Sequence, residues 1–159
     1  MTTAFRFFLF ACLLMLVAAG GVWSQSSSTQ AAVSSEKKDA AVPVEPDMHE
    51  FMEYVFQPTF RRLKPAMSVV PADKKAWKAI KADALVLAEA GNLLLIREPK
   101  DEVADWVEHS VQVREFGGQL YRAAKAKDHA TARKHYESMV KNCNACHHQF
   151  AGGEHILTP

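Results

Sequence analysis

The sequence predicts an all-α protein, an antiparallel four-helix bundle, and three observations carry that expectation. From Asp47 onward, four long segments repeat apolar residues at helical spacing, and no run alternates at the period of two that marks a half-buried strand. Short stretches holding Pro65 and Pro71, then Arg97-Glu98-Pro99, then Lys125-Ala126-Lys127 separate them, so neighbouring helices must run antiparallel. The composition, 48% hydrophobic and 23% charged over 159 residues, suits one globular domain and excludes a collagen, a low-complexity polymer or a multidomain enzyme.

The apolar fraction is not spread over a single core. Residues 1–24 place one basic residue, Arg6, before an apolar run over residues 7–19, then small residues as far as Ser24, the three-part layout of an export signal cleaved near Ser24. The run is short beside the roughly 20 apolar residues of a membrane span; extended through Trp23 and left uncut, it would serve as an N-terminal membrane anchor. Cys12 lies inside the run rather than after the small residues at its end, so no lipid attachment and no role in the mature chain is expected of it. Residues 25–46, QSSSTQAAVSSEKKDAAVPVEP, hold no aromatic residue and no apolar period, and cannot bury enough surface to offset their ordering entropy. They are expected to form a flexible linker, leaving residues 47–159 as the folded domain.

The first helical run, DMHEFMEYVFQPTFRRLKPAM, sets Met48, Met52, Val55, Thr59 and Leu63 on one stripe, flanked by Phe51, Phe56 and Phe60. Pro58 removes a backbone donor and crowds the preceding turn, so a kink or break is expected there, with residues 66–70 as the following connection. Asp73 is a good N-cap for the second helix, whose buried face reads Trp77, Ile80, Ala84, Leu87, Gly91 and Leu94 and is widened by Leu85, Leu93, Leu95 and Ile96. The third starts near Asp101 and carries Val103, Trp106, Val107, Ser110, Val113, Gly117, Leu120 and Ala124. Asp128 or Thr131 caps the fourth, with Ala132, Tyr136, Met139, Val140, Cys143 and His147 along one stripe.

Near the end of that fourth helix stands Cys143-Asn144-Ala145-Cys146-His147. Cys-x-x-Cys-His is the pattern for covalent attachment of a c-type haem: two thiols bond the vinyl-derived carbons of the porphyrin, and the adjacent imidazole ligates iron. Residues three and four apart share a helix face, so all three side chains can address one porphyrin edge and its metal. A thioredoxin-like dithiol would instead want the pair at a helix N-terminus after a strand, where the helix dipole lowers a thiol pKa. A zinc site from Cys143, Cys146, His147 and His148, even with His155, lacks the second, distant ligand pair that usually completes a tetrahedron. A structural disulfide between the two cysteines would close only a tiny loop and gain little.

These residues resemble the class II c-type cytochromes, the bundle group that includes cytochrome c prime and the cytochrome c556-like proteins. The resemblance covers residues 47–150 and rests on four successive helices with the haem motif at the C-terminal end of the last. It implies one haem c held between the helices, His147 as the proximal iron ligand, and a first-helix residue facing the iron's other side. In low-spin members that residue is a methionine. Met52 is the choice for this sixth ligand and Met48, four residues earlier on the same face, the reserve; His49 is a neighbour off the stripe. High-spin members instead leave the iron five-coordinate and able to bind nitric oxide or carbon monoxide. Arg61 and Arg62 are the candidates to pair with the haem propionates, as a first-helix arginine does in the family. His109, His129, His135, His148 and His155, with charged or polar neighbours, are expected on the solvated surface, while Trp77, Trp106, Phe56 and Tyr121 are expected to pack in the core or on the haem.

With 19 Lys and Arg against 18 Asp and Glu, no electrostatic surplus recommends nucleic acid as a partner. No set of residues offers acid, base or nucleophile in a catalytic arrangement, so no enzyme is expected. The expected function is one-electron transfer through a His147/Met52-ligated iron between a redox protein donor and acceptor, in the periplasm or otherwise outside the cytoplasmic membrane. The alternative is a five-coordinate haem protein that binds a diatomic gas such as nitric oxide. The resemblance further implies a homodimer, formed in such bundles through the first two helices.

Overall fold

The computed structural model describes residues 41–159, and over these the protein is all-helical, with four helices and no strand. The expected export signal, Cys12 and most of the linker lie outside the described residues; the linker's last part, residues 41–46, is non-helical and largely exposed. Among the described residues no helix is long and apolar enough to cross a membrane. The helices are α1 (residues 48–68), α2 (Lys74–Leu94), α3 (Val103–Ala126) and α4 (His129–Phe150).

Side-chain capping starts three of them. Asp47, Asp73 and Asp128 accept hydrogen bonds from the amides of Glu50 (2.9 Å), Ala76 (2.7 Å) and Thr131 (3.0 Å), satisfying donors that the first turn leaves free. The connection from α3 to α4 is only two residues long. Lys127 takes a left-handed conformation (φ 59°), its amide donates to the Ala124 carbonyl and that of Asp128 to Ala123, the paired bonds of a Schellman turn with a lysine where glycine is usual.

Helix α1 is interrupted near Pro58 and, against the expectation, continues past Pro65. The interruption expected at Pro58 takes the form of a widened turn just before it: Met52–Phe56 is π-helical, between α-helical Met48–Phe51 and Gln57–Ser68, and the Gln57 amide donates to Met52, five residues back. The widened turn absorbs the donor that Pro58 lacks, and the Thr59 hydroxyl, buried, donates to the Val55 carbonyl at 2.7 Å. The extra residue also rephases the helix. Thr59, Leu63 and Met67 point into the core, while upstream of them Phe51 is buried and Met48, Met52 and Phe56, partly buried, line a cavity together with Phe60. Pro65 does not end the helix, because a lost bond in the final turn is cheap; Ala66, Met67 and Ser68 remain helical and the connection begins at Val69.

Contacts pair the helices in opposed directions. A Cβ on Gly91 of α2 would stand 2.7 Å from the Arg114 amide nitrogen of α3, and one on Gly117 would stand 2.9 Å from that of Ala88, so rising numbers on one helix meet falling numbers on the other. His109 of α3 meets Asn142 of α4, while Gln149 reaches back to Asp105; Phe60 and Met67 of α1 meet Tyr136 and Arg133 of α4. The absence of side chains at Gly91 and Gly117 lets α2 and α3 approach backbone to backbone.

Two apolar clusters fill the interior. One holds Leu63, Met67, Ile80, Leu120, Tyr136 and Met139; the other, toward the C-terminal end of α4, holds Phe51, Ala90, Leu94 and Trp106, with Cys146 and Phe150 against it. The predicted stripe of α2 is buried as expected, but Leu85 and Leu93 are 42% and 43% exposed, because α2 is covered on one side only. Trp106 donates its indole N–H to the Leu94 carbonyl at 2.9 Å, tying the start of α3 to the end of α2.

Candidate functional site

The last two turns of α4 and the first half of α1 face each other across a cavity of about 710 Å³. Cys143, Cys146 and His147 line it from α4; Met48 and Met52 line it from α1. Phe56, Phe60, Leu94, Trp106 and Val113 make most of the remaining wall apolar. A volume of this size lies within the roughly 300–1,000 Å³ range of small-molecule and cofactor sites. All five residues singled out from the sequence thus share one cavity.

Each side chain is placed by a local cause. The spacing of Cys143, Cys146 and His147 brings all three onto the inner face of α4. The two cysteines are free thiols. Burial of the sulfur pushes Cys143 up to about 12, with Cys146 beside it adding to the rise, and burial pushes Cys146 up to about 11. They are therefore protonated at neutral pH, the opposite of the low-pKa pair that a redox dithiol requires.

His147 is held by a single directional contact: its Nδ1 lies 3.0 Å from the His155 carbonyl oxygen. A carbonyl only accepts, so Nδ1 carries the proton and Nε2 keeps its lone pair free. Burial lowers the pKa of His147, against the smaller opposing effect of that carbonyl, and favours the neutral ring that a metal needs. Among the described residues no three His, Cys, Asp or Glu side chains converge as a metal ion bound by protein alone would require.

Other expected residues fall less simply. Arg61 lines the cavity, but Arg62 is bound elsewhere: its Nε and Nη2 donate to Asp83 of α2, the shortest contact being 2.6 Å, and that hydrogen bond raises the guanidinium pKa. The pairing with propionates expected of both arginines is thus open to Arg61 alone. His49 also lines the cavity, 3.6 Å from Glu53. Two of the histidines expected on the surface, His109 and His129, depart from that expectation, while His155 is exposed as expected and also lines the cavity. His109 bridges α3 and α4, with Nδ1 3.0 Å from Asn142 Oδ1 and Nε2 3.2 Å from Gln149 Oε1, and His129 has its Nε2 buried without a hydrogen-bond partner in the structure. Trp106 and Phe56 line the site, while Trp77 packs in the core at the other end of α2.

Sequence reading missed the tail. Residues 152–159 turn back along α4, so that His155 and Leu157 join the cavity wall. The signal was Gly152-Gly153, both at positive φ (62° and 79°), a reversal that two adjacent glycines make easy. Comparison of the chain with protein-family models, with characterised proteins and with solved structures returns no match.

Proposed function

We propose that this chain is an exported c-type cytochrome of the class II kind, carrying one covalent haem and passing single electrons between protein partners. The observation that carries the reading is the convergence of both thiols of Cys-x-x-Cys-His, the imidazole beside them and two thioethers of α1 on one largely apolar cavity. A porphyrin supplies four ligands to its iron, so the protein need supply only axial ones.

When bound, the haem supplies a one-electron couple at its iron. Cys143 and Cys146 would hold the porphyrin by thioether bonds. His147 offers Nε2 to the metal, and Met52, with Met48 in reserve, offers a thioether from the opposite helix. A largely apolar wall and a thioether ligand would raise the reduction potential of a bound haem. Arg61 at the wall offers charge to the propionates.

The test is expression with a haem-attachment system, followed by an absorption spectrum of the ferric protein. A low-spin spectrum with a methionine-to-iron charge-transfer band, lost in Met52→Ala, is the expected result. A low-spin spectrum unchanged in Met52→Ala and lost in Met48→Ala transfers the ligand to Met48. A high-spin spectrum and ready carbon monoxide binding would replace electron transfer with the gas-binding alternative.

A further inference from the structure

The chain after α4 is fastened to the cysteine motif. Asn144, the first residue between the two cysteines, uses both ends of its side-chain amide on one residue: Nδ2 donates to the Leu157 carbonyl at 2.9 Å, and Oδ1 accepts from the Leu157 amide at 2.8 Å. Leu157 in turn packs against the main apolar cluster and lines the cavity. A further contact joins Lys64 Nζ of α1 to the hydroxyl of Thr158. At the start of the tail, the Gly153 amide donates to the His147 carbonyl and the Glu154 amide to Ala151, both at 3.0 Å.

Between these two anchorages lies His155, whose backbone sits in the left-handed region at φ 58°. That conformation is unfavourable for a residue with a side chain and persists only where its surroundings impose it. Here it accompanies the placement of the His155 carbonyl oxygen 3.0 Å from Nδ1 of His147. Neither the pair of hydrogen bonds at Asn144 nor the strained residue is needed to complete a helix that already ends at Phe150.

We propose that residues 152–159 form a strap that orients His147 as an iron ligand, and that Asn144 is the positioning residue that latches it. The inference rests on the haem reading above and deepens it. By accepting the Nδ1 proton in a hydrogen bond, the His155 carbonyl fixes the ring's tautomer, aims Nε2 into the cavity and makes the imidazole a stronger donor, which favours ferric iron. Outer partners of this kind typically change metal affinity or activity 10- to 100-fold when lost.

The experiment compares the full haem-loaded chain with Asn144→Leu, with the milder Asn144→Asp, with a chain ending at Ala151, and with Asn144→Leu in that shortened chain. Three quantities are read: covalent haem retained on a denaturing gel, hydrogen exchange at the Leu157 amide, and the ferric-to-ferrous midpoint. Asn144→Leu is expected to keep its covalent haem, to speed exchange at Leu157 at least about tenfold, and to shift the equilibrium toward ferrous iron by roughly tenfold, about 59 mV for one electron. Asn144→Asp keeps the acceptor for the Leu157 amide but sets a carboxylate against its carbonyl, and its shift is expected in the same direction. Truncation is expected to reproduce the shift, and adding Asn144→Leu to the shortened chain is expected to change nothing more, because both act through the tail. A released tail with an unmoved midpoint overturns the inference, as do additive shifts in the double variant. A wild-type chain without covalent haem removes the proposed function and the inference together.

Discussion

At the level of single residues, the site divides into groups whose types announce their chemistry and groups whose meaning depends on partners far along the chain. Cys143, Cys146 and His147 belong to the first kind, because their spacing of three and one on a helix places them on one face. Arg62 belongs to the second. Nothing in the sequence near it names Asp83, 21 positions away, yet that carboxylate is buried and takes the guanidinium through two of its nitrogens. Arg62→Ala leaves Asp83 without its partner and is expected to lower stability by about 1–2 kcal/mol, read from denaturant unfolding at unchanged slope. Tyr136 gives a prediction with a pH signature. Its ring is fully buried, stacked 6.5 Å from Phe60, its hydroxyl has no hydrogen-bond partner in the structure, and burial pushes its pKa from 10.0 up to about 12. The folded state thus keeps the phenol neutral while the unfolded chain ionises it. The resulting stability is complete below pH 10 and is lost as pH rises toward 12. Tyr136→Phe is expected to fold with stability equal to or about 1 kcal/mol above wild type, and to remove that part of the alkaline loss; a destabilisation of about 2 kcal/mol at neutral pH would mean the hydroxyl has a partner.

At the level of elements, the four helices were legible because period, caps and breaks agree, and Asp73 and Asp128 cap as their residue types predict. The π-helical turn was not legible. Pro58 announces a missing donor, but whether a helix answers by kinking or by widening depends on what the upstream half packs against, here Phe51 on Phe56 at 5.6 Å and Arg97 3.9 Å over the Phe51 ring. That choice decides which face of α1 meets the cavity, and with it the register of Met48 and Met52. The interface of α2 and α3 is equally demanding. A methyl group at Gly117 would lie 2.9 Å from backbone of α2, which cannot rotate away as a side chain can, so Gly117→Ala is expected to cost about 1–3 kcal/mol despite alanine's better helix propensity. Thermal unfolding checks it, and an unchanged midpoint would show that the two helices part without cost. The turn between α3 and α4 offers the reverse case. Lys127 occupies a left-handed position, and Lys127→Gly is expected to raise stability by about 1 kcal/mol in the same assay.

At the level of the whole molecule, the bundle sets the end of α4 against the first half of α1 and leaves a cavity between them rather than a filled core. Gly152-Gly153 marks the reversal of the tail, but its contacts could not be foreseen, since Asn144 and Leu157 meet only once α4 has ended and the chain has turned back. Desolvation raises the pKa of both cysteine thiols, and the His147 ring, with Nδ1 on the His155 carbonyl, keeps Nε2 free to bind the proposed haem. The proposed haem would add burial that the apolar side chains do not provide, so the loaded chain is expected to be the more stable form. The measurement closest to the central claim is haem staining after denaturing electrophoresis, with wild type beside the Cys143→Ser/Cys146→Ser double variant, both produced with a haem-attachment system. Covalent haem on the wild-type band and none on the variant is the predicted result; a wild-type band without haem, or a double variant that still carries it, would contradict the account.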